Sequence, residues 1–340
     1  MHPAGMAIAA IVLLLAACAD PTLPTNGGTA GFSTPPVIAD YGNNRVVRFD
    51  DMEGTGWVAT DISGSPSDAV VDADGRIWIG LEFTSSSGMW TIAGFDSLEA
   101  EPVVASQEMA TVTAISVDAA GGFVYAAGEL NGSRGLVRLT IDAGEGELVD
   151  PEEIDDSYLG DATLFRTSGL HYAGGALYAV TILDGGDGPD TVSLFKVGLD
   201  GSALAVFPFD DPVPDGLNWL GRRYLGDVTV RNGRVYVADA IGGRIIELDT
   251  DLEELGRFGI PYDKESEDPI ADLEFYGPSR FAALPPEDPW FVVLDETKDG
   301  FPRVSRVVRF SDMTGSNWAA YGEHGAFGAD EGEFAFFDFC

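Results

Sequence analysis

The chain has 340 residues, with 19 basic against 56 acidic side chains and a formal net charge of -37. Such a field repels phosphate backbones and excludes nucleic acid as a partner. Forty-three Gly, twenty Phe, ten Tyr and six Trp, with no sustained helical period, exclude a helix bundle and point to a turn-rich all-β protein.

The first eighteen residues, "MHPAGMAIAAIVLLLAAC", contain no Asp, Glu, Lys or Arg. Their apolar run from Met6 to Leu15 is too short to span a bilayer and reads as an export signal over residues 1–17. Leu15-Ala16-Ala17-Cys18 resembles the bacterial lipobox, which implies cleavage before Cys18 and acylation of that residue. The basic stretch that usually opens such a signal is missing, with His2 its only candidate. Residues 18–35, the lipidated Cys and a Gly- and Pro-bearing segment, read as a flexible tether. A chain so anchored faces the periplasm or the cell surface, and its membrane contact is the lipid. If Cys18 is acylated, Cys340 is the one thiol left, and no intrachain disulfide can form.

From residue 36 onward the sequence runs in cycles of four short β segments. Each cycle opens on a hairpin: "AVVDADGRIWIG" (69–80), "AISVDAAGGFVYAAG" (114–128), "LHYAGGALYAV" (170–180), "VTVRNGRVYVAD" (228–239) and, more loosely, "FAALPPEDPWFVVLD" (281–295). Third runs follow at 88–95, 135–141, 193–199, 244–249 and 306–310, and fourth runs at 101–106, 146–150, 203–209, 254–259 and 317–322. Residues 36–61 supply the second, third and fourth runs of a further unit that lacks its first, and "EFAFFDF" (333–339) is a β run with nothing after it. Pairing the two ends removes the open edges of both. The expectation is a six-bladed β-propeller over 36–340, with a C-terminal strand completing the blade begun at the N-terminus. The repeat of "RVVRFDDMEGTGW" (45–57) as "RVVRFSDMTGSNW" (306–318), identical at nine of thirteen positions, then marks equivalent strands of neighbouring blades.

"VIADYGNNRVVRFD" and "VYVADAIGGRIIELD" carry an Ala-Asp followed by Asn or Gly, Arg and apolar residues, and "YGEHGAFGADEGEF" (321–334) is a glycine-studded lead-in. In these segments the chain resembles the NHL-repeat propellers. That resemblance implies a structural part for Asp40 and Asp239, which would bond groups at a turn.

Propellers bind through loops at one face and through the channel mouth. The connection 210–226 holds Trp219, Arg222, Arg223 and Tyr224, an aromatic and basic cluster in an acidic chain, suited to a carboxylate or an acidic partner. A second long connection covers 260–279. Aligning the hairpins places Asp68, Ala114, Gly169, Asp227 and Arg280 at one channel level. Two carboxylates there, Asp68 and Asp227, could hold Ca²⁺; no other cofactor is read in the sequence. Calcium-dependent lactonases of the gluconolactonase and paraoxonase type use this region of the same architecture, but their further channel Glu and Asn ligands have no counterpart here. The mature chain has two His, too few for a zinc site of the NHL-like lyase kind, and His171 is expected to be a satisfied core residue. The loop "DGGDGPD" (184–190) is expected to be a solvated hairpin tip. The reading that follows is a monomeric binding or scaffold module at the cell envelope, for an unidentified protein or small molecule. The alternative is a calcium-dependent, lactonase- or esterase-like hydrolase.

Overall fold

The computed structural model describes residues 31–84, 90–106, 109–160, 162–185, 190–210, 226–261, 272–284, 289–296 and 305–322. Cys18, most of the tether, the 211–225 loop and the 333–339 segment lie outside the described residues, as does the tip of the 184–190 loop.

The described chain is almost entirely β. Sheet 1 comprises β1 (Val37–Asp40), β2 (Arg45–Arg48) and β3 (Val58–Asp61). Sheet 2 follows with β4 (Gly64–Val71), β5 (Ile77–Thr84), β6 (Ile92–Phe95) and β7 (Val104–Ser106). Sheet 3 holds β8 (Thr111–Asp118), β9 (Phe123–Leu130), β10 (Ser133–Asp142) and β11 (Glu147–Ile154). Sheet 4 holds β12 (Thr163–Ala173), β13 (Ala176–Asp184), β14 (Thr191–Gly198) and β15 (Ala203–Pro208). Sheet 5 holds β16 (Gly226–Arg231), β17 (Arg234–Asp239), β18 (Arg244–Leu248) and β19 (Glu254–Phe258). A short parallel pair, β20 (Ile260–Pro261) and β21 (Glu274–Phe275), ties the two ends of the 260–279 connection together. Sheet 6 closes the series with β22 (Pro278–Ala283), β23 (Phe291–Glu296), β24 (Ser305–Phe310) and β25 (Ala319–Tyr321).

Within each sheet the strands pair antiparallel in chain order, so short turns suffice. The β16–β17 hairpin turns through Asn232 and Gly233, both at positive φ (53° and 71°), the backbone of a type I′ turn that matches strand twist. Sheets 2 and 3 also join at their outer strands, where Ala105 pairs in parallel with Glu147 and the two edges protect each other. Strand β11 runs on to Ile154, past the predicted end at 150, because a bulge after Arg138 lets it follow β10 until Ile154 is buried.

Apolar residues on both faces of each sheet make the ring. One core cluster packs Val46 and Ile62 on Ile79 and Phe95, sheet 1 on sheet 2. The next packs Trp78 on Ile115 and Val137, and a third packs Tyr125 on Leu177 and Phe195. A fourth joins Val180 to Val237, and a fifth joins Tyr236 and Phe258 to Phe291 and Phe310. The last brings Leu284, Val292 and Val307 of sheet 6 back onto Ile38 and Val47 of sheet 1. Each sheet thus buries both faces against its neighbours, and the series closes on itself: the fold is a β-propeller.

The duplicated segment has a local mechanical role in both copies. Arg45 pairs with fully buried Asp40 at 2.7 Å and Arg306 with fully buried Asp295 at 3.1 Å. Each guanidinium also lies over the Trp that ends its copy, Arg45 over Trp57 and Arg306 over Trp318. Asp51 and Asp312 cap the following turns, accepting backbone N–H bonds from Glu53 and Thr55 and from Thr314 and Ser316. Sheet 5 repeats the pattern with Asp239, which pairs with Arg244 at 2.8 Å and accepts the Gly242 N–H. Asp40 and Asp239 are therefore structural.

Candidate functional site

The innermost strands β4, β8, β12 and β22 each carry a register break near the same level, at Pro66/Asp68, Val112/Ala114, Thr167/Gly169 and Pro278/Arg280. A bulge re-aims the side chains beside it. The skipped residues Ser67, Thr113 and Ser168 turn their hydroxyls onto the next sheet: Ser67 donates to Val112 O (2.7 Å), Thr113 to Thr167 O (2.6 Å) and Ser168 to Gly226 O (2.8 Å). Of the residues just after these breaks, Asp68 and Arg280 line the channel cavity, whereas Ala114 is buried in the core between sheets 3 and 4.

At that level the structure brings Asp68, Asp227 and Arg280 together, and main-chain groups take up much of their polar capacity. Asp68 accepts the N–H groups of Ala69 and, from the next sheet, Ile115 (2.8 Å). Asp227 does the same with Val228 and, from sheet 6, Phe281 (2.9 Å). Arg280 reaches across the channel and donates to the carbonyls of Ser168 (2.6 Å), Ser67 (2.5 Å) and Thr113 (3.3 Å), belonging to three different sheets. The guanidinium therefore holds the position, among converging carbonyl oxygens and beside two carboxylates, that a bound cation would want.

Burial pushes the Asp68 carboxyl up, against the opposing pull of Arg280 and its backbone donors. Burial likewise pushes Asp227 up to about 7, with Arg280 pulling down and Asp68 adding to the rise. The two acids share one cation, so they titrate as a pair.

These groups lie on the wall of a cavity of about 200 Å³ along the channel, which also includes Val70, Ile115, Val228, Phe281 and His171. His171 departs from the satisfied core residue expected of it. It sits two positions beyond Gly169 on β12 and lines this cavity, and its imidazole makes no hydrogen bond with the described residues. Burial holds its pKa down to about 4, so it is neutral near pH 7.

No protein-family model matches this sequence, and comparison with curated proteins finds no match. Among solved structures the chain resembles hydrazine synthase of Kuenenia stuttgartiensis (14% identity, 77% of each chain, TM-score 0.48). It also resembles the periplasmic gluconolactonase of Pseudomonas aeruginosa (14% identity, 82% of this chain and 78% of that one, TM-score 0.47). A protein of unknown function from Bacteroides caccae is similar to a like degree (10% identity, 81% and 89% of the chains, TM-score 0.47). Likeness at this level concerns chain path, and no activity passes with it.

Trp219, Arg222, Arg223 and Tyr224 lie outside the described residues. Of the 260–279 connection, residues 260–261 and 272–279 are described, Phe275 among them. It is fully buried against Phe258, Phe310 and Trp318, so that end of the loop serves the core. Among the described residues no three His, Cys, Asp or Glu converge as a metal cluster. Sequence reasoning missed a second charged cavity, formed by Glu82, Glu129, Arg134 and Arg166. Its members lie up to 84 positions apart and belong to three sheets, so no local spacing betrays them.

Proposed function

We propose that this chain is an exported, lipid-tethered propeller of the NHL kind, acting as a binding or scaffold module at the cell envelope, with residues 333–339 completing sheet 1. The observation that carries this reading is the commitment of Asp68, Asp227 and Arg280 to main-chain groups of neighbouring sheets. A hydrolytic centre needs carboxylate oxygens free to ligate metal or move a proton; here they fasten the ring. Arg280 serves as a built-in cation, so calcium is not needed to neutralise the channel acids.

The rival, a calcium-dependent lactonase- or esterase-like hydrolase, is favoured by one observation: Asp68, Asp227 and a neutral His171 share one cavity wall. The anchoring part of the proposal is tested by Cys18→Ser in the native host. The protein should move from the membrane fraction to the soluble fraction, and retention on the membrane would refute the lipid anchor. The binding part is tested by a pull-down from envelope extracts, with a specific, saturable partner expected.

A further inference from the structure

Glu129 and Arg134 are register partners across the β9–β10 hairpin, and both line the second cavity, of about 260 Å³. Opposite charges so placed ordinarily pair. Here they do not. Arg134 turns instead to the next sheet, where it donates to Phe165 O (2.8 Å) and lies over the Phe165 ring. The half-buried Glu129 carboxylate is left with no hydrogen bond or ion pair, and Arg134 with no carboxylate partner, among the described residues. In the same cavity Glu82 and Arg166, from β5 and β12, form a largely buried ion pair at 2.6 Å. Buried pairs of this kind contribute little net stability, so a fold has small thermodynamic reason to build one into a cavity wall.

We propose that this cavity binds a small zwitterion, a free α-amino acid, with its ammonium on Glu129 and its carboxylate on Arg134. The charge inventory selects the class. Two carboxylates and two guanidiniums are electrically balanced, so a simple anion meets Glu129 and a simple cation meets Arg134, each at a cost. An apolar ligand would strip water from both unpaired charges. A ligand carrying both signs satisfies each with a charge-assisted hydrogen bond. Leu164 and Phe165 give the wall an apolar part suited to an aliphatic side chain. The volume lies below the ~300–1,000 Å³ of drug-sized sites, which limits the occupant to a small metabolite.

The proposal rests on the binding-module reading and adds a ligand class to it. Its test is calorimetry on the full chain with glycine, L-alanine, L-valine and L-leucine, and with isopentylamine and 4-methylpentanoate as single-charge analogues of leucine. At least one amino acid should bind saturably at one site per chain, and both analogues at least ten-fold more weakly than leucine. Glu129→Gln and Arg134→Gln should each weaken amino-acid binding at least ten-fold with an unchanged circular dichroism spectrum. No saturable amino-acid binding, equal binding of the amine alone, or unchanged affinity in Glu129→Gln would each overturn it. Those failures leave the module reading standing, whereas lactone turnover would break that reading without changing the amino-acid titration, so the two failures are distinguishable.

Discussion

Gly169 and Asp227 occupy adjoining space at the β12–β16 interface: a Cβ on Gly169 would lie 2.4 Å from Asp227 Oδ1 and 2.6 Å from its Cα. The glycine is what lets the carboxylate settle against sheet 4 while accepting N–H bonds from Val228 and Phe281. Main chain cannot swing aside as a flexible side chain can. Gly169→Ala should therefore destabilise the protein by about 2 kcal/mol, the usual cost of overpacking, measured by urea unfolding. A change under a few tenths of a kcal/mol would mean that the interface is looser than described.

Arg280 ties three sheets through their carbonyls and lies beside two buried acids. Arg280→Met should cost about 3 kcal/mol, since it strands carbonyls and leaves Asp68 and Asp227 without their cation. The loss should shrink when Asp227→Asn is added, because the second substitution removes one of the uncompensated charges. A double-mutant cycle checks this, and strict additivity would place the two residues out of contact.

Asp227 and His171 give stability opposite dependences on pH. Asp227 titrates near 7 when folded, well above an ordinary carboxyl, so between about pH 4 and 7 the native state holds a proton that the unfolded chain releases. Its contribution to stability falls as pH rises through that window. His171 titrates near 4 when folded against an ordinary 6.5, so the unfolded chain binds the extra proton and its contribution rises between about pH 4 and 6.5. The groups facing them are Asp68, pushed up with Asp227, and Arg280, charged throughout. Asp227→Asn should make stability rise more steeply from pH 4 to 6.5, and His171→Gln should make it fall. Denaturation midpoints at pH 4.5, 5.5, 6.5 and 7.5 read both slopes.

The pairs Asp40–Arg45 and Asp295–Arg306 are equivalent, both anchored on a fully buried carboxylate. Arg45→Met and Arg306→Met should each destabilise by about 3–5 kcal/mol, as removal of one partner from a buried pair does. Thermal unfolding checks both, and a large loss in only one would break the equivalence.

Much of this fold is legible in the sequence. Period-2 runs punctuated by Gly turns gave the strands, because alternation and turn chemistry are local. The duplicated segment was legible as equivalent strands, and the structural part of Asp40 and Asp239 followed from the likeness to NHL repeats; the caps Asp51 and Asp312 were not read from the sequence. The alignment of Asp68, Ala114, Gly169, Asp227 and Arg280 followed from hairpin register. What that alignment could not convey is the direction of Arg280, which depends on carbonyls more than 100 residues away. A signal did precede each of those positions, in the small or hydroxyl residues Ser67, Thr113, Ser168, Gly226 and Ser279. The Glu129–Arg134 cavity was illegible for a different reason: an unmade ion pair depends on what Arg134 finds on the next sheet, and cross-strand register alone predicts the opposite.

The central claim is that the channel charges fasten the ring rather than hold a metal for hydrolysis. Calcium titration by calorimetry, run on the full chain and on Asp227→Ala and followed by a lactone and ester hydrolysis screen, tests it most directly. The account predicts no saturable heat with calcium and no turnover in either protein, with a lower unfolding temperature for the variant. Stoichiometric calcium binding that disappears in Asp227→Ala, together with turnover by the unsubstituted chain, would contradict it.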